Sequence, residues 1–191
     1  MAHKVCPWWL GYFLVNPLRR LVEHPVKLLH PFVRDGMLVL EPGCGMGFFT
    51  LDLARLVGAS GRVVAVDLQP RMLAGLRRRA ARAGLARRIE ARLAQPDRLG
   101  VGDLAGQVDL ALAIHVVHEV PDQTAFFAEL YDALKPGGEV LVAEPRGHVS
   151  MEAFAATLEV ARSRGLEHVA TPDFASSRAA LLQRGADPNP A

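Results

Sequence analysis

The first residues with spacing suited to chemistry are an acid followed by three glycines. They lie in Val39-Leu40-Glu41-Pro42-Gly43-Cys44-Gly45-Met46-Gly47-Phe48-Phe49-Thr50. Glycine lets the backbone turn sharply and approach a ligand that a side chain would exclude. The free N–H groups at the start of the following helix add polar contacts. Glu41 would repel a nucleotide phosphate, so this cradle suits a ligand that is cationic, zwitterionic or rich in hydroxyls. The spacing is Gly-x-Gly-x-Gly, whereas the dinucleotide fingerprint is Gly-x-Gly-x-x-Gly. Without a ligand, the same run reads as a tight strand-to-helix turn. A second acid, Asp67, follows an apolar, β-branched run twenty residues after Gly47. There it accepts hydrogen bonds from ribose hydroxyls, or it caps the helix that begins near Pro70.

A second group is His115-Val116-Val117-His118-Glu119-Val120-Pro121-Asp122, with His148 further on. Imidazole and carboxylate are both good metal ligands, but no compact ligand spacing joins these residues, and no metal is expected. Two readings remain open for them: general-base or acceptor-orienting roles, and packing or capping.

The elements that must hold these residues can be read from periodicity. Leu18 to Phe32 reads as helix interrupted by Pro25 and Pro31, and Arg34-Asp35-Gly36 as a turn. Met37 to Leu40 reads as a buried strand. A helix opens at Phe48 and runs to Val57, with Leu51, Ala54 and Val57, and again Leu53 and Leu56, at helical spacing. Gly58 to Gly61 ends it. Arg62 to Val66 is the second strand, apolar as a strand buried on both faces should be, with Asp67 at its end. A helix from Pro70 to Ala83 carries Arg71, Arg77, Arg78, Arg79 and Arg82, and Arg87 and Arg88 lie just beyond it. Arginines on several sides of a helix, with no aromatic residues among them, read as a solvated surface more than a nucleic-acid face. Ile89 to Leu93 is the third strand and Gln107 to Ile114 the fourth. Thr124 to Leu134 is a helix with Phe127, Leu130 and Leu134 on one stripe. Lys135-Pro136-Gly137-Gly138 turns into a fifth strand, Glu139 to Glu144. Met151 to Arg164 is a helix, and Leu166 to Ala170 with Ser177 to Leu182 forms a terminal hairpin. The alternation of strand and helix predicts an α/β class.

Four of these segments, in this order, resemble the marks of the class I S-adenosylmethionine-dependent methyltransferase superfamily. They are the Glu41 glycine loop, Asp67, the Asp109 to Asp122 segment and Lys135 to Gly138. The resemblance covers Met37 to Glu144 and has the flavour of the small-molecule, ubiquinone/menaquinone-biosynthesis-type branch. It implies a Rossmann-like, doubly wound, mostly parallel sheet with helices on both faces and an antiparallel C-terminal hairpin. It also implies S-adenosylmethionine as cofactor, held by Glu41, Gly43, Cys44, Gly45, Gly47, Asp67, Leu68, Gln95, Asp97, Ile114 and His115. Gln95 stands where the family carries an acid for the adenine amino group; its carbonyl accepts the same bond, or Asp97 substitutes. Many members read L-H-H-L-P-D after the fourth strand, and His118 and Glu119 fall on its two histidine positions. His115, His118 and Glu119 are the candidate catalytic residues.

The function this implies is in-line methyl transfer to a small, apolar or aromatic acceptor. Positioning and exclusion of water do most of the work. A base is needed only where the acceptor must lose a proton. Three other readings compete. The first is a non-catalytic adenosyl-ligand-binding protein on the same fold. The second is an RNA methyltransferase; the Asn/Asp-Pro-Pro-aromatic tetrad of nucleic-acid N-methyltransferases does not follow the fourth strand. The third is a nicotinamide-dependent oxidoreductase, whose six-residue glycine spacing is missing.

Composition bounds the rest. At 191 residues, half of them hydrophobic, the chain can bury a substantial core. A net charge of +2 does not indicate nucleic acid. The two cysteines, Cys6 and Cys44, suggest neither a zinc site nor a disulfide framework, which fits reduced thiols in cytoplasm. The apolar Val5 to Val15 stretch is too short to span a bilayer, and its positive charge, at Arg19 and Arg20, lies on the wrong side for a signal peptide. Trp8, Trp9, Tyr12 and Phe13 must bury against something: the domain's rim, the acceptor pocket as a lid, or a membrane surface at its periphery. The expected organisation is an aromatic-rich helical cap over 1–34, a cofactor-binding domain over 35–184 and a loose tail over 185–191. The expected partner is a small-molecule acceptor.

Overall fold

The computed structural model describes residues 7–11, 15, 23–174 and 176–185. They fall into two compact units, 1–96 and 97–191.

The first unit is built on three parallel strands, β1 (Leu38–Pro42), β2 (Arg62–Asp67) and β3 (Ile89–Leu93). Leu40 pairs with Val64, and Asp67 with Leu93. Val39, Leu40 and Val63 to Val66 are fully buried, as continuous apolar runs in parallel strands should be. Helix α1 (Pro25–Leu29) follows the β-region residue His24. Leu18 to Val22 of the expected longer helix lie outside the described residues. Helix α2 (Thr50–Leu56) starts two residues later than its periodicity suggests, because Gly47 still holds a positive φ of 82°. Helix α3 (Pro70–Arg82) has proline in its first turn, where the missing N–H costs nothing. It buries Met72, Leu73, Leu76 and Ala80, and Leu73 and Leu76 pack with Cys44 and Ala65.

The second unit pairs β4 (Val108–Ile114) in parallel with β5 (Leu134–Pro145). β5 then pairs antiparallel with β7 (Ser177–Arg184), and β7 antiparallel with β6 (Leu166–Ala170). Helix α4 (Gln123–Ala133) is capped by Asp122, whose carboxylate accepts the Ala125 N–H at 3.0 Å. Helix α5 (Met151–Ser163) is capped by Ser150, which accepts the Ala153 N–H at 3.1 Å. The expected turn at Lys135 to Gly138 is instead an irregularity inside β5. Leu134 pairs with Val108, and the register then shifts so that Glu139 pairs with Leu110. Gly138 sits so close to the chain that an added Cβ would lie 3.0 Å from Val108 O. Leu134, expected as the last residue of the helix, therefore begins the strand.

The class is α/β with mostly parallel strand pairing and an antiparallel C-terminal pair, as expected. No helix among the described residues is long and apolar enough to cross a membrane.

Candidate active site

In the first unit the candidate residues converge at the ends of β1 and β2. Gly43, Gly45 and Gly47 all have positive φ, 69°, 53° and 82°. At Gly47 an added Cβ would come within 2.4 Å of Leu76, so this glycine lets α3 pack against the loop. At Gly45 an added Cβ would meet no atom of the described residues within 4 Å, so glycine is needed there for its backbone, and the described residues leave space beside it. Two interactions fix the loop's shape. Arg79 donates to Met46 O at 2.5 Å and to Gly47 O at 2.9 Å. Asp67 accepts the Gly45 N–H at 2.8 Å through Oδ2 and the Gln69 N–H at 2.8 Å through Oδ1.

Asp67 thus joins the glycine loop to the start of α3, while Gln69, not Asp67, is the helix N-cap residue. Burial raises its carboxyl above the ordinary value, and the Gln69 and Gly45 N–H groups oppose that rise. Each carboxylate oxygen has a second lone pair for a further donor.

Glu41, near the end of β1, is buried, and its Oε2 has no hydrogen-bond partner among the described residues. Burial pushes its pKa up to about 8; the Thr50 hydroxyl favours the charged form, and the Asp67 charge adds to the rise. An orphaned buried carboxylate oxygen is costly unless a donor or cation reaches it. Cys44 is buried, and burial, followed by the Glu41 and Asp67 charges, holds its thiol well above the usual range. It packs and is no nucleophile. Leu68 and Leu93 are exposed apolar residues at or just beyond the ends of β2 and β3. Gln95 is exposed.

The N-terminal segment also meets this loop. Trp8 lies under the Arg71 guanidinium, 4.5 Å from its ring centroid. Gly11 is close enough that an added Cβ would lie 2.7 Å from Met72 and 3.1 Å from Met46. Tyr12 and Phe13 lie outside the described residues.

In the second unit, Asp97 is exposed near Arg98 and Ile114 is the buried last residue of β4. His115 follows with φ of 56°, its N–H donating to Ala143 O at 2.7 Å. Its Nε2 sits 2.7 Å from the Ser177 hydroxyl, so the ring is bound to β7. His118 Nδ1 pairs with Glu144 Oε2, while Glu144 Oε1 accepts the Val117 N–H at 2.7 Å. Glu144 is almost wholly buried, whereas about a third of the His118 side chain is exposed. The His118 and His148 rings lie parallel within 16°, with centroids 6.3 Å apart. The Glu144 hydrogen bond raises the His118 pKa, burial lowers it, and the Glu144 and Glu119 charges raise it again. Glu119 is half-buried in the same turn.

Sequence reasoning missed Glu144 and Ser177. For Glu144 a signal was available: Ala143-Glu144-Pro145 repeats the apolar-Glu-Pro ending of β1. For Ser177 there was none, since its partner is 62 residues away. Among the described residues, no group of three or more His, Cys, Asp or Glu is arranged to hold a metal ion.

Comparison with known proteins bears on the same residues. The methyltransferase domain family matches residues 39–138. An arsenite methyltransferase of Aquipseudomonas alcaligenes is 36% identical over 141 residues, covering 70% of this chain and 40% of that protein. A ubiquinone biosynthesis O-methyltransferase of Methylocella silvestris is 31% identical over 155 residues, covering 80% of this chain and 58% of that protein. The chain thus spans about half the length of these curated relatives. The crystal structure of a SAM dependent methyltransferase from Aquifex aeolicus superposes with a TM-score of 0.84 at 20% identity, covering 94% of this chain and 100% of that one. That likeness establishes the fold. With the glycine loop and Asp67 inside the matched span, the chain belongs to the methyltransferase domain family, on the class I S-adenosylmethionine-dependent methyltransferase fold.

Proposed function

We propose that the protein is an S-adenosylmethionine-dependent methyltransferase acting on a small, apolar or aromatic organic acceptor. The observation that carries this reading is the buried, unpartnered Glu41 Oε2 beside a glycine loop that opens at Gly45. A cationic, hydroxyl-rich ligand answers both features: its ammonium group satisfies the orphaned carboxylate, and its hydroxyls use the remaining lone pairs of Asp67. When bound, the cofactor supplies a methyl group on a positively charged sulfur, already activated for transfer.

The residues divide the remaining work. Gly43, Cys44, Gly45 and Gly47 shape the cradle with their backbone. Leu68 and Ile114 offer apolar surface, and Gln95 or Asp97 accepts from an adenine amino group. His115 contributes its strained backbone position, its ring being engaged by Ser177. His118 and Glu119 are the candidates for acceptor chemistry. Residues 1–34 act as a cap, 35–184 as the catalytic domain and 185–191 as a tail. Arsenite, named for more than one relative, is a soft species suited to thiolate ligands. This chain has two cysteines, and the Cys44 thiol is held protonated in the core, which favours an organic acceptor. Calorimetric titration with S-adenosylmethionine, S-adenosylhomocysteine and NADH tests the reading. Saturable binding of both adenosyl ligands and none of NADH is expected; the reverse order refutes it.

A further inference from the structure

The loop after β4 holds more than a histidine in a suggestive place. The His118 imidazole rests on a carboxylate that is almost wholly inaccessible to water, and both oxygens of that carboxylate are used. Glu144 Oε1 is fixed by the Val117 N–H, so Oε2 is aimed at one point, which His118 Nδ1 occupies. A carboxylate at Nδ1 selects the tautomer whose proton sits on Nδ1 and whose lone pair is on Nε2. It also stabilises the imidazolium that forms when Nε2 takes a proton. His118 is the partly exposed member of the pair, so the carboxylate is hidden and the imidazole is presented. The groups facing this imidazole are Glu144 from β5, Glu119 from its own turn and His148 from the turn after β5. The two acids favour the charged ring. His115 is not equivalent, because its Nε2 is bound to Ser177.

We propose that His118 is the general base for an acceptor that must lose a proton from oxygen, a phenol-class hydroxyl, and that Glu144 is the residue that positions and polarises it. This rests on the methyltransferase reading above and narrows its acceptor. In the step, the acceptor O–H bond breaks and the proton joins His118 Nε2. The oxygen keeps the electron pair with which it takes the methyl group. As that bond forms, the methyl–sulfur bond of the sulfonium breaks and its electron pair stays on sulfur. The sulfur leaves as a neutral thioether while the proton remains on the imidazole. Acceptors that already carry a free lone pair, such as thioethers or tertiary amines, would have no use for such a pair. A buried Glu beneath a partly exposed His is costly to build, and base catalysis is the return.

The experiment has three readouts. The first follows the His118 ring signals by NMR through a pH titration, assigned by their loss in His118→Asn. The midpoint is expected above the ordinary histidine value in the wild type and closer to it in Glu144→Gln. The second is S-adenosylmethionine affinity by calorimetry, expected within about threefold of wild type in both variants. The third is mass spectrometry of methylated products from a library of phenols, thiols and amines. Methyl ethers of phenols are expected, with transfer reduced about 10²- to 10⁴-fold in His118→Asn. In Glu144→Gln the acidic limb of the rate profile should move to lower pH, because a less basic imidazole deprotonates earlier.

Transfer in His118→Asn within threefold of wild type overturns the proposal. So does an unchanged titration in Glu144→Gln, and so does a wild type that binds the cofactor but methylates only thiols or amines, or nothing in the library. A wild type that fails to bind S-adenosylmethionine refutes the broader reading instead, while the NMR midpoint still reports on the pair.

Discussion

The ends of β1 and β5 make a matched pair. One reads Val39-Leu40-Glu41-Pro42 and the other Val142-Ala143-Glu144-Pro145, and both glutamates are buried. Yet Glu144 has both oxygens bonded, whereas Glu41 has one oxygen with no partner among the described residues. The strands are alike; the loops that meet them differ. The turn at Val117 to Glu119 brings an N–H and an imidazole to Glu144. Beside Glu41, the glycine loop commits its Gly45 N–H to Asp67 and leaves Oε2 unsatisfied. One acid is satisfied by its neighbours, and the other keeps an oxygen that no described residue takes.

Four predictions test that contrast. Gly45→Val carries the largest effect. It puts a branched side chain at φ of 53°, a left-handed position costing about 1–2 kcal/mol, and fills the open side of the loop. S-adenosylmethionine binding should be abolished with the fold retained, and calorimetry at wild-type affinity would show that the cradle is elsewhere. Asp67→Ala comes next. It strands two backbone N–H groups and removes the proposed hydroxyl acceptor, so affinity should fall by on the order of 2–5 kcal/mol. The melting temperature should fall with it. A lowered melting temperature at unchanged affinity would reduce Asp67 to a loop brace.

The third prediction sets the two glutamates against each other. Glu144→Gln loses a charge-assisted bond and should cost about 1–3 kcal/mol of stability. Glu41→Gln removes a buried charge whose cost of burial outweighs the help of Thr50, so the unliganded protein should melt higher at pH 8 while binding the cofactor more weakly. Denaturation of both variants in one buffer compares the signs; equal signs would dissolve the distinction. The smallest effect is a slope. The Glu41 carboxyl titrates near 8 in the folded chain, against an ordinary value of 4.5. The folded state therefore binds more protons between those values, and its stability falls as pH rises through them. Glu41→Gln should flatten the dependence of melting temperature on pH from about 5 to 8, and an unchanged slope would place the titrating group elsewhere.

Much of this was legible in the sequence because it is local. Ile89 to Leu93 and Leu166 to Ala170 are strands with the expected bounds. Asp67 ends β2, and the glycines turn where their spacing suggests. What was hidden depends on residues far apart in the chain. Periodicity cannot tell that Glu144 meets His118, or that Ser177 of β7 binds the His115 ring. It also could not separate Lys135 to Gly138 as a turn from the same residues as a strand irregularity, because that choice rests on how closely Gly138 approaches Val108.

Arg79 ties the glycine loop to α3. One guanidinium from the last turn of α3 holds the carbonyls of Met46 and Gly47 together. Both carbonyls depend on that one side chain, so removing it would strand them together. Asp67 braces the same loop from its other side through the Gly45 N–H, so the shape rests on two residues, and the exposed Arg78 and Arg82 can change without touching either.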